Sequence, residues 1–151
     1  MMAESAFVLA NNTIRIQDIM QTSFVTISAG DTLSTVEDIM TLGGVRHMPV
    51  VRGGALVGVV SERDLLRASL SNLTGFRHEE RRAFLQVVEI TRVMSTPPIV
   101  ISPEDEIEQA ARLLAEKRIG CLPVIEEGKL VGLVTETDVL RCIAGRWYGG
   151  L

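Results

Sequence analysis

The chain contains an internal repeat at an offset of 74 residues, and this repeat constrains the fold more than any other feature. Residues 54–64 match residues 128–138 without a gap, and residues 48–51 match residues 122–125. Apolar positions fall on apolar positions nearly throughout, and two glycines, a proline and an aspartate coincide. A repeat of about fifty residues is too small to bury a core alone, so we expect the two copies to share one core.

Both copies predict the same element order, β-α-β-β-α, and therefore an α/β (α+β) fold. Each begins with a short apolar run typical of a buried strand, at residues 24–27 and 99–101. A helix follows, with start signals at Asp31 and at Ser102-Pro103. Two strands joined by a glycine turn and a final helix complete each copy. The predicted boundaries are 16–68 for the first copy, 69–89 for a connector and 90–144 for the second copy.

Composition and charge exclude several classes of protein. With 46% hydrophobic and 23% charged residues, the chain can bury enough apolar surface to fold. A net charge of -4 argues against nucleic-acid binding, which requires a basic face. No apolar stretch is long enough to span a membrane, and the amino terminus makes a poor secretory signal. Cys121 and Cys142 are expected to be small buried residues in a reducing compartment, so the predicted location is cytoplasmic.

The sequence offers no catalytic constellation. Its two histidines, His47 and His78, lack a nucleophile–base pattern, and no P-loop, GxSxG or HExxH motif is present. His78 stands beside Glu79 and Glu80 in the connector, where a solvated face of an amphipathic helix is favoured over a metal site. We therefore predict neither an enzyme nor a metal site.

One segment occurs in both copies and has two readings. A hydroxyl residue ends a strand and an acid follows three residues later, as Ser61 with Asp64 and as Thr135 with Asp138. This spacing is typical of a capping box, which stabilises the start of a helix. The same geometry suits a nucleotide, because a helix amino terminus attracts phosphate and a carboxylate accepts hydrogen bonds from ribose. The two roles are compatible, and the residues alone leave both open.

Both copies resemble the CBS domain (the cystathionine β-synthase type), and the pair resembles a Bateman module. The resemblance covers about residues 16–68 and 90–144. It depends on the leaders Asp18-Ile19-Met20 and Arg92-Val93-Met94, the strands at 46–51 and 121–125, and the two Gly-x-x-[Ser/Thr]-x-x-Asp segments. It implies a pseudo-two-fold pair of repeats without catalytic activity, and no required cofactor.

The resemblance also implies a ligand and its contacts. Such pairs bind AMP, ADP or ATP, and in some cases NAD or S-adenosylmethionine, in clefts between the repeats. By the family pattern, Asp64 and Asp138 are expected to bind the ribose hydroxyls. Ser61 and Thr135 are expected to contact the ribose or the phosphate. The adenine pockets correspond to residues on the first strand and before the proline strand, namely Val25, Val45, Arg46, His47, Ile99, Gly120 and Cys121.

The two copies differ in charge at the expected sites. Arg46, His47 and Arg63 stand in the first copy where the second has Gly120, Cys121 and Thr137. Because a guanidinium grips phosphate through its planar fork, we predict that Arg46, His47 and Arg63 hold the phosphates. The alternative is that Arg46 and Arg63 are solvated and pair only with Glu62 or Asp18.

The resulting prediction is a regulatory sensor that binds an adenosine-containing nucleotide and signals to an effector protein or through self-association. A homodimer is expected, with helices at 32–41, 62–70, 107–117 and 136–144 as candidate interfaces, and Trp147-Tyr148 covering part of them or packing locally. The alternative function is a structural dimerisation or partner-docking module with degenerate ligand sites. The sequence identifies neither the nucleotide nor the effector.

Overall fold

The structure, a computed structural model, describes the backbone of residues 13–72 and 77–149 and the side chains of residues 13–69 and 77–145. Trp147 and Tyr148 lie outside the described side chains. In chain order the elements are α1 (Ile16–Ile19), β1 (Ile27–Ser28), α2 (Leu33–Gly43), β2 (His47–Arg52), β3 (Ala55–Ser61), α3 (Glu62–Asn72), α4 (His78–Val87), a 3-10 turn (Ile90–Arg92), α5 (Ile107–Lys117), β4 (Cys121–Glu126), β5 (Lys129–Thr135) and α6 (Glu136–Gly149). The mixture of helices and strands confirms the predicted α+β fold.

The chain divides into two compact units that do not follow the repeat boundaries. The central unit comprises residues 25–98. The split unit comprises the described part of residues 1–24 together with that of residues 99–151. The leader of each copy therefore belongs to the same unit as the strands of the other copy.

The central unit contains a three-stranded sheet in the order β1-β2-β3. β1 runs parallel to β2, and β2 runs antiparallel to β3 with His47 opposite Ser61. The turn between β2 and β3 uses Gly53 at φ 57° and Gly54 at φ 82°, the left-handed conformations that glycine adopts without strain. The glycine pair in the sequence thus correctly predicted the hairpin.

The split unit repeats this hairpin with β4 and β5, placing Cys121 opposite Thr135. Its turn has the same backbone form, with Glu127 at φ 50° and Gly128 at φ 78°. Because residues with a side chain are disfavoured at positive φ, Glu127 is the more strained of the two turn residues. The register matches that of the central unit residue for residue, so the 74-residue offset extends to backbone pairing.

Each unit has its own hydrophobic core, which corrects the expectation of a single shared core. The central core is built around Leu33, Val36, Met48, Val50 and Val60, all fully buried. The core of the split unit uses the corresponding strand and helix positions and contains Ile16, Ile101, Ala110, Leu122, Val124 and Val134. Each core includes an isoleucine of a leader, Ile90 in the central unit and Ile16 in the split unit. A leader taken from the other copy enlarges each small repeat enough to enclose a core.

The leaders attach to the edge strands through paired backbone hydrogen bonds. In the split unit, the Gln21 N–H donates to the Leu133 carbonyl at 2.8 Å, and the Leu133 N–H donates back at 3.0 Å. In the central unit, the Ser95 N–H donates to the Val59 carbonyl at 2.9 Å, and the Val59 N–H donates back at 3.1 Å. The sequence pattern did not predict that the leader of each copy would pair with a strand of the other copy.

The first strand and the first helix of each copy differ from prediction. β1 is only two residues long, and its counterpart in the split unit is a single bridge between Ile101 and Val124. α2 begins after Thr32 rather than at Asp31, because the Asp31 carboxylate accepts a hydrogen bond from the Ser28 N–H at 3.1 Å and closes the preceding turn.

In the second copy, the predicted start signal Ser102-Pro103 lies further ahead of the observed helix. The Asp105 carboxylate accepts from the Ser102 N–H at 2.9 Å, and α5 begins only after Glu106. Both acids therefore cap the turn before the helix and not the helix itself. Asp31 and Asp105 occupy the same repeat position, so the turn before the helix is capped in the same way in both copies.

The connector contains α4, as its amphipathic pattern predicted, and ion pairs join this helix to α2. Arg81 contacts the Glu37 carboxylate at 2.6 Å, and Arg82 contacts Glu37 and Asp38 at 3.0 Å each. The hydrogen bond that Arg82 donates to Asp38 raises the pKa of its guanidinium.

Within the described ranges, no group of three or more metal-ligating side chains could hold an ion, and no helix is long and apolar enough to cross a membrane.

Candidate ligand sites

The hydroxyl–acid pair of the central unit forms a reciprocal cap at the β3–α3 junction. The Asp64 Oδ2 accepts from the Ser61 N–H at 2.8 Å and from the Ser61 hydroxyl at 3.0 Å. The Asp64 N–H donates back to the Ser61 Oγ at 3.1 Å. Asp64 Oδ1 has no hydrogen bond with the part of the chain that the structure describes. The cap therefore uses one carboxylate oxygen and leaves the other available.

The split unit repeats this cap at the β5–α6 junction. The Asp138 Oδ2 accepts from the Thr135 N–H and hydroxyl, both at 2.9 Å, and the Asp138 N–H lies 3.3 Å from the Thr135 Oγ1. Here the carboxylate has a further partner: the Gln21 Nε2 lies 3.2 Å from Oδ1 and 3.0 Å from Oδ2. The sequence did not point to Gln21, because this contact joins residues 117 positions apart.

The antiparallel register brings the segment before the proline strand next to each cap. The Glu62 N–H, the first of α3, donates to the Arg46 carbonyl at 2.9 Å, and His47 is paired with Ser61. In the split unit, the Glu136 N–H donates to the Gly120 carbonyl at 3.0 Å, which joins the corresponding positions. Residues predicted to contact one ligand thus lie together within a single unit.

The apolar residues predicted to line the adenine pockets differ in how deeply they are buried. Val45 is half-buried against the central core, and Ile99 is half-buried against the core of the split unit. Val25 is 43% exposed and precedes β1, so the prediction of a buried strand at this position was wrong. An exposed valine near the start of a strand remains accessible to a ligand, which a core residue would not be.

Arg46 and Arg63 are exposed and form no ion pair with Glu62, the neighbour considered in the alternative interpretation. The Asp18 carboxylate, the other candidate partner, accepts instead from the Arg15 N–H at 2.9 Å. Both guanidinium groups are therefore open to solvent and to an anion. Thr137 stands in place of Arg63 at the corresponding site, which carries no such charge.

Cys121 lies beside the cap of the split unit as a buried thiol, 4% exposed. Burial, and secondarily the Asp138 carboxylate, raises the pKa of this thiol to about 12. It therefore remains protonated at neutral pH and is a poor nucleophile. Its predicted role as a small apolar residue is confirmed, whereas Cys142 is only half-buried.

A separate surface depression of about 390 Å³ lies around the start of α5. Its lining includes Arg15, Glu106 and Arg112, and it contains none of the residues predicted to bind a ligand. Its side chains bear charges of both signs, and the sequence gave no signal for it.

The chain belongs to the CBS domain family, which it matches at residues 16–71 and 88–145. A CBS domain-containing protein of Dictyostelium discoideum is 29% identical over 129 residues, covering 84% of this chain and 89% of that protein. The chain spans only 21–47% of the length of several other curated relatives, some of which bear the names of enzymes. The CBS pair is thus a minor part of those larger proteins.

Solved structures of CBS-domain proteins share the fold. CBSX2 in complex with AMP is 26% identical and superposes with a TM-score of 0.70, covering 86% of this chain and 96% of that one. The CBS domain pair of protein MJ0100, in complex with 5′-methylthioadenosine and S-adenosyl-L-methionine, has a TM-score of 0.75 at 20% identity, with coverage of 89% and 99%. At that identity the second comparison concerns the fold alone.

Proposed function

We propose that this protein is a non-catalytic sensor that binds an adenosine-containing nucleotide of the AMP, ADP or ATP type at the helix caps of its two units. This proposal depends chiefly on the cap of Asp64, where one carboxylate oxygen at a helix amino terminus accepts no hydrogen bond from any described residue. A ribose diol needs such an acceptor. The AMP complex of CBSX2 supports a ligand of this class.

A thermal-shift assay with AMP, ADP, ATP, NAD and S-adenosylmethionine tests this function. A ligand present at 100 times its dissociation constant stabilises the folded state by about 2.7 kcal/mol. For a chain of this length we expect the melting temperature to rise by about 5–10 °C. Inosine, which carries the same ribose without the adenine amino group, is the matched control. The absence of a shift with all five compounds would favour the partner-docking function instead.

We propose further that the central unit binds the phosphates of the nucleotide. Arg46 and Arg63 carry charge without forming an ion pair with the neighbouring Glu62. Arg63 lies within the cap segment, and the Arg46 carbonyl accepts a hydrogen bond from the Glu62 N–H at 2.9 Å. Replacing Arg46 by alanine is expected to weaken ATP binding to the central unit about tenfold, since a hydrogen bond to a charged group contributes about 1.5–3 kcal/mol.

Adenosine, which lacks the phosphates, is expected to bind the Arg46→Ala variant as it binds the unmodified protein. Isothermal titration of both ligands into both proteins measures the difference. Arg52→Ala serves as a matched control, because Arg52 is an exposed arginine at the far end of β2, the strand that directly follows Arg46. An equal loss of ATP and adenosine affinity in Arg46→Ala would refute the assignment of the phosphates.

The output is proposed to pass through a homodimer or an effector protein in the cytoplasm. Leu66 of α3 and Leu140 of α6 occupy the same repeat position and are 51% and 64% exposed, and Ile143 on α6 is 50% exposed. Large exposed apolar side chains on equivalent helices favour self-association. Sedimentation equilibrium measures the assembly state, and a monomer at micromolar concentration would leave the effector as the route of output.

A further inference from the structure

We propose that Gln21 lowers the ligand affinity of the split unit relative to the central unit, because its amide is hydrogen-bonded to the Asp138 carboxylate. The split unit is then the weaker site, and a ligand must displace the Gln21 amide before Asp138 can accept its ribose. This inference depends on the proposed function and adds to it a residue that makes the two sites unequal.

The two carboxylates have the same cap and differ in what else they bind. Asp138 receives the Gln21 amide on both oxygens, at 3.2 Å and 3.0 Å. The Oδ1 of Asp64 receives no hydrogen bond from any described residue. A ligand with two hydroxyls therefore meets a fully engaged acceptor in one unit and an open acceptor in the other.

The leader of each copy explains the difference. Gln21 pairs with β5 through its backbone, which holds its side chain within reach of Asp138. Ser95 occupies the same repeat position in the other leader and pairs with Val59 in the same way. Its side chain has three fewer heavy atoms than that of glutamine and carries no amide, and it makes no hydrogen bond to Asp64.

The magnitude of the effect follows from the chemistry of the contact. An amide that donates to a carboxylate makes a charge-assisted hydrogen bond, which a ligand has to break before it forms its own. Because the contact is solvent-exposed, we take the lower end of the range for such bonds, which corresponds to a factor of about ten in affinity.

The test isolates the split unit and measures AMP binding with and without the amide. In an Asp64→Asn background, which removes the carboxylate charge of the central unit, isothermal titration with AMP reports the Asp138 site. We expect Gln21→Ala to tighten AMP binding there about tenfold. Gln17→Ala is the matched control, because Gln17 is an exposed glutamine of the same leader whose side chain makes no hydrogen bond to a described residue.

A reciprocal variant tests the same mechanism in the central unit. Ser95→Gln, in an Asp138→Asn background, is expected to weaken AMP binding at Asp64 about tenfold. Unchanged or weaker AMP binding in Gln21→Ala, while the parent proteins bind AMP, would overturn the role of Gln21 and leave the proposed function standing. Failure of the unmodified protein and of every variant to bind AMP or adenosine would instead overturn the proposed function, and the role of Gln21 with it.

Discussion

Replacing Gly58 by alanine is expected to lower the free energy of unfolding by about 2–3 kcal/mol, the cost of overpacking a filled interior. A Cβ at this position would lie 2.7 Å from the Met94 Sδ and 2.8 Å from the Ser95 carbonyl oxygen. The sulfur could swing aside, but the carbonyl is held by its hydrogen bond from Val59. The leader would therefore have to separate from β3. Denaturation monitored by circular dichroism measures the loss.

Gly132→Ala should behave in the same way, because its Cβ would lie 2.8 Å from the Met20 Sδ and 3.0 Å from the Gln21 carbonyl oxygen. Gly145→Ala is the matched control, since no described atom outside the backbone of α6 lies within 4 Å of a Cβ at this position. Alanine there is expected to leave stability unchanged or to raise it by up to about 1 kcal/mol. A Gly58→Ala variant as stable as the unmodified protein would contradict the attachment of the leaders described above.

The second large effect concerns the carboxylates of the two caps. A variant with both Asp64→Ala and Asp138→Ala is expected to bind AMP at least about 100-fold more weakly, because it loses two charge-assisted hydrogen bonds at each ribose. The variant also loses its capping boxes and about 1 kcal/mol at each helix start. Isothermal titration at a temperature well below its melting point separates weak binding from unfolding.

Two further variants distinguish ligand binding from capping. Asp64→Asn with Asp138→Asn retains a side-chain oxygen for the cap and removes the charge, so it should fold normally and still bind poorly. Glu62→Ala with Glu136→Ala removes two exposed acids from the same helical turns and should bind as the unmodified protein does. Undiminished AMP binding by the double alanine variant would refute the assignment of the site to these aspartates.

Local signals made most of the fold predictable from the sequence. The β2–β3 and β4–β5 hairpins follow from apolar strands around a glycine turn, and the starts of α3 and α6 follow from the cap spacing. The start signal at Asp31 missed the helix amino terminus because an acid can cap a turn as well as a helix, and residue type alone does not choose between them.

The contacts between distant residues could not be predicted in this way. The repeat offset aligns Met20 with Met94 and Gly58 with Gly132, but it does not reveal that each methionine packs on the glycine of the other copy. Strand partners and leader attachment depend on tertiary packing, which no local period encodes. The contact of Gln21 with Asp138 belongs to the same class, so the difference between the two sites emerged only from the structure.

The exchange of leaders also determines how this protein can be divided. A break in the connector would give an amino-terminal fragment with the leader that pairs with β5, and a carboxy-terminal fragment with the leader that pairs with β3. Each fragment would then carry the backbone strip that the other needs to cover its glycine. The halves are complementary parts and not independent modules. A single repeat would therefore depend on a second copy to supply the leader that covers its glycine.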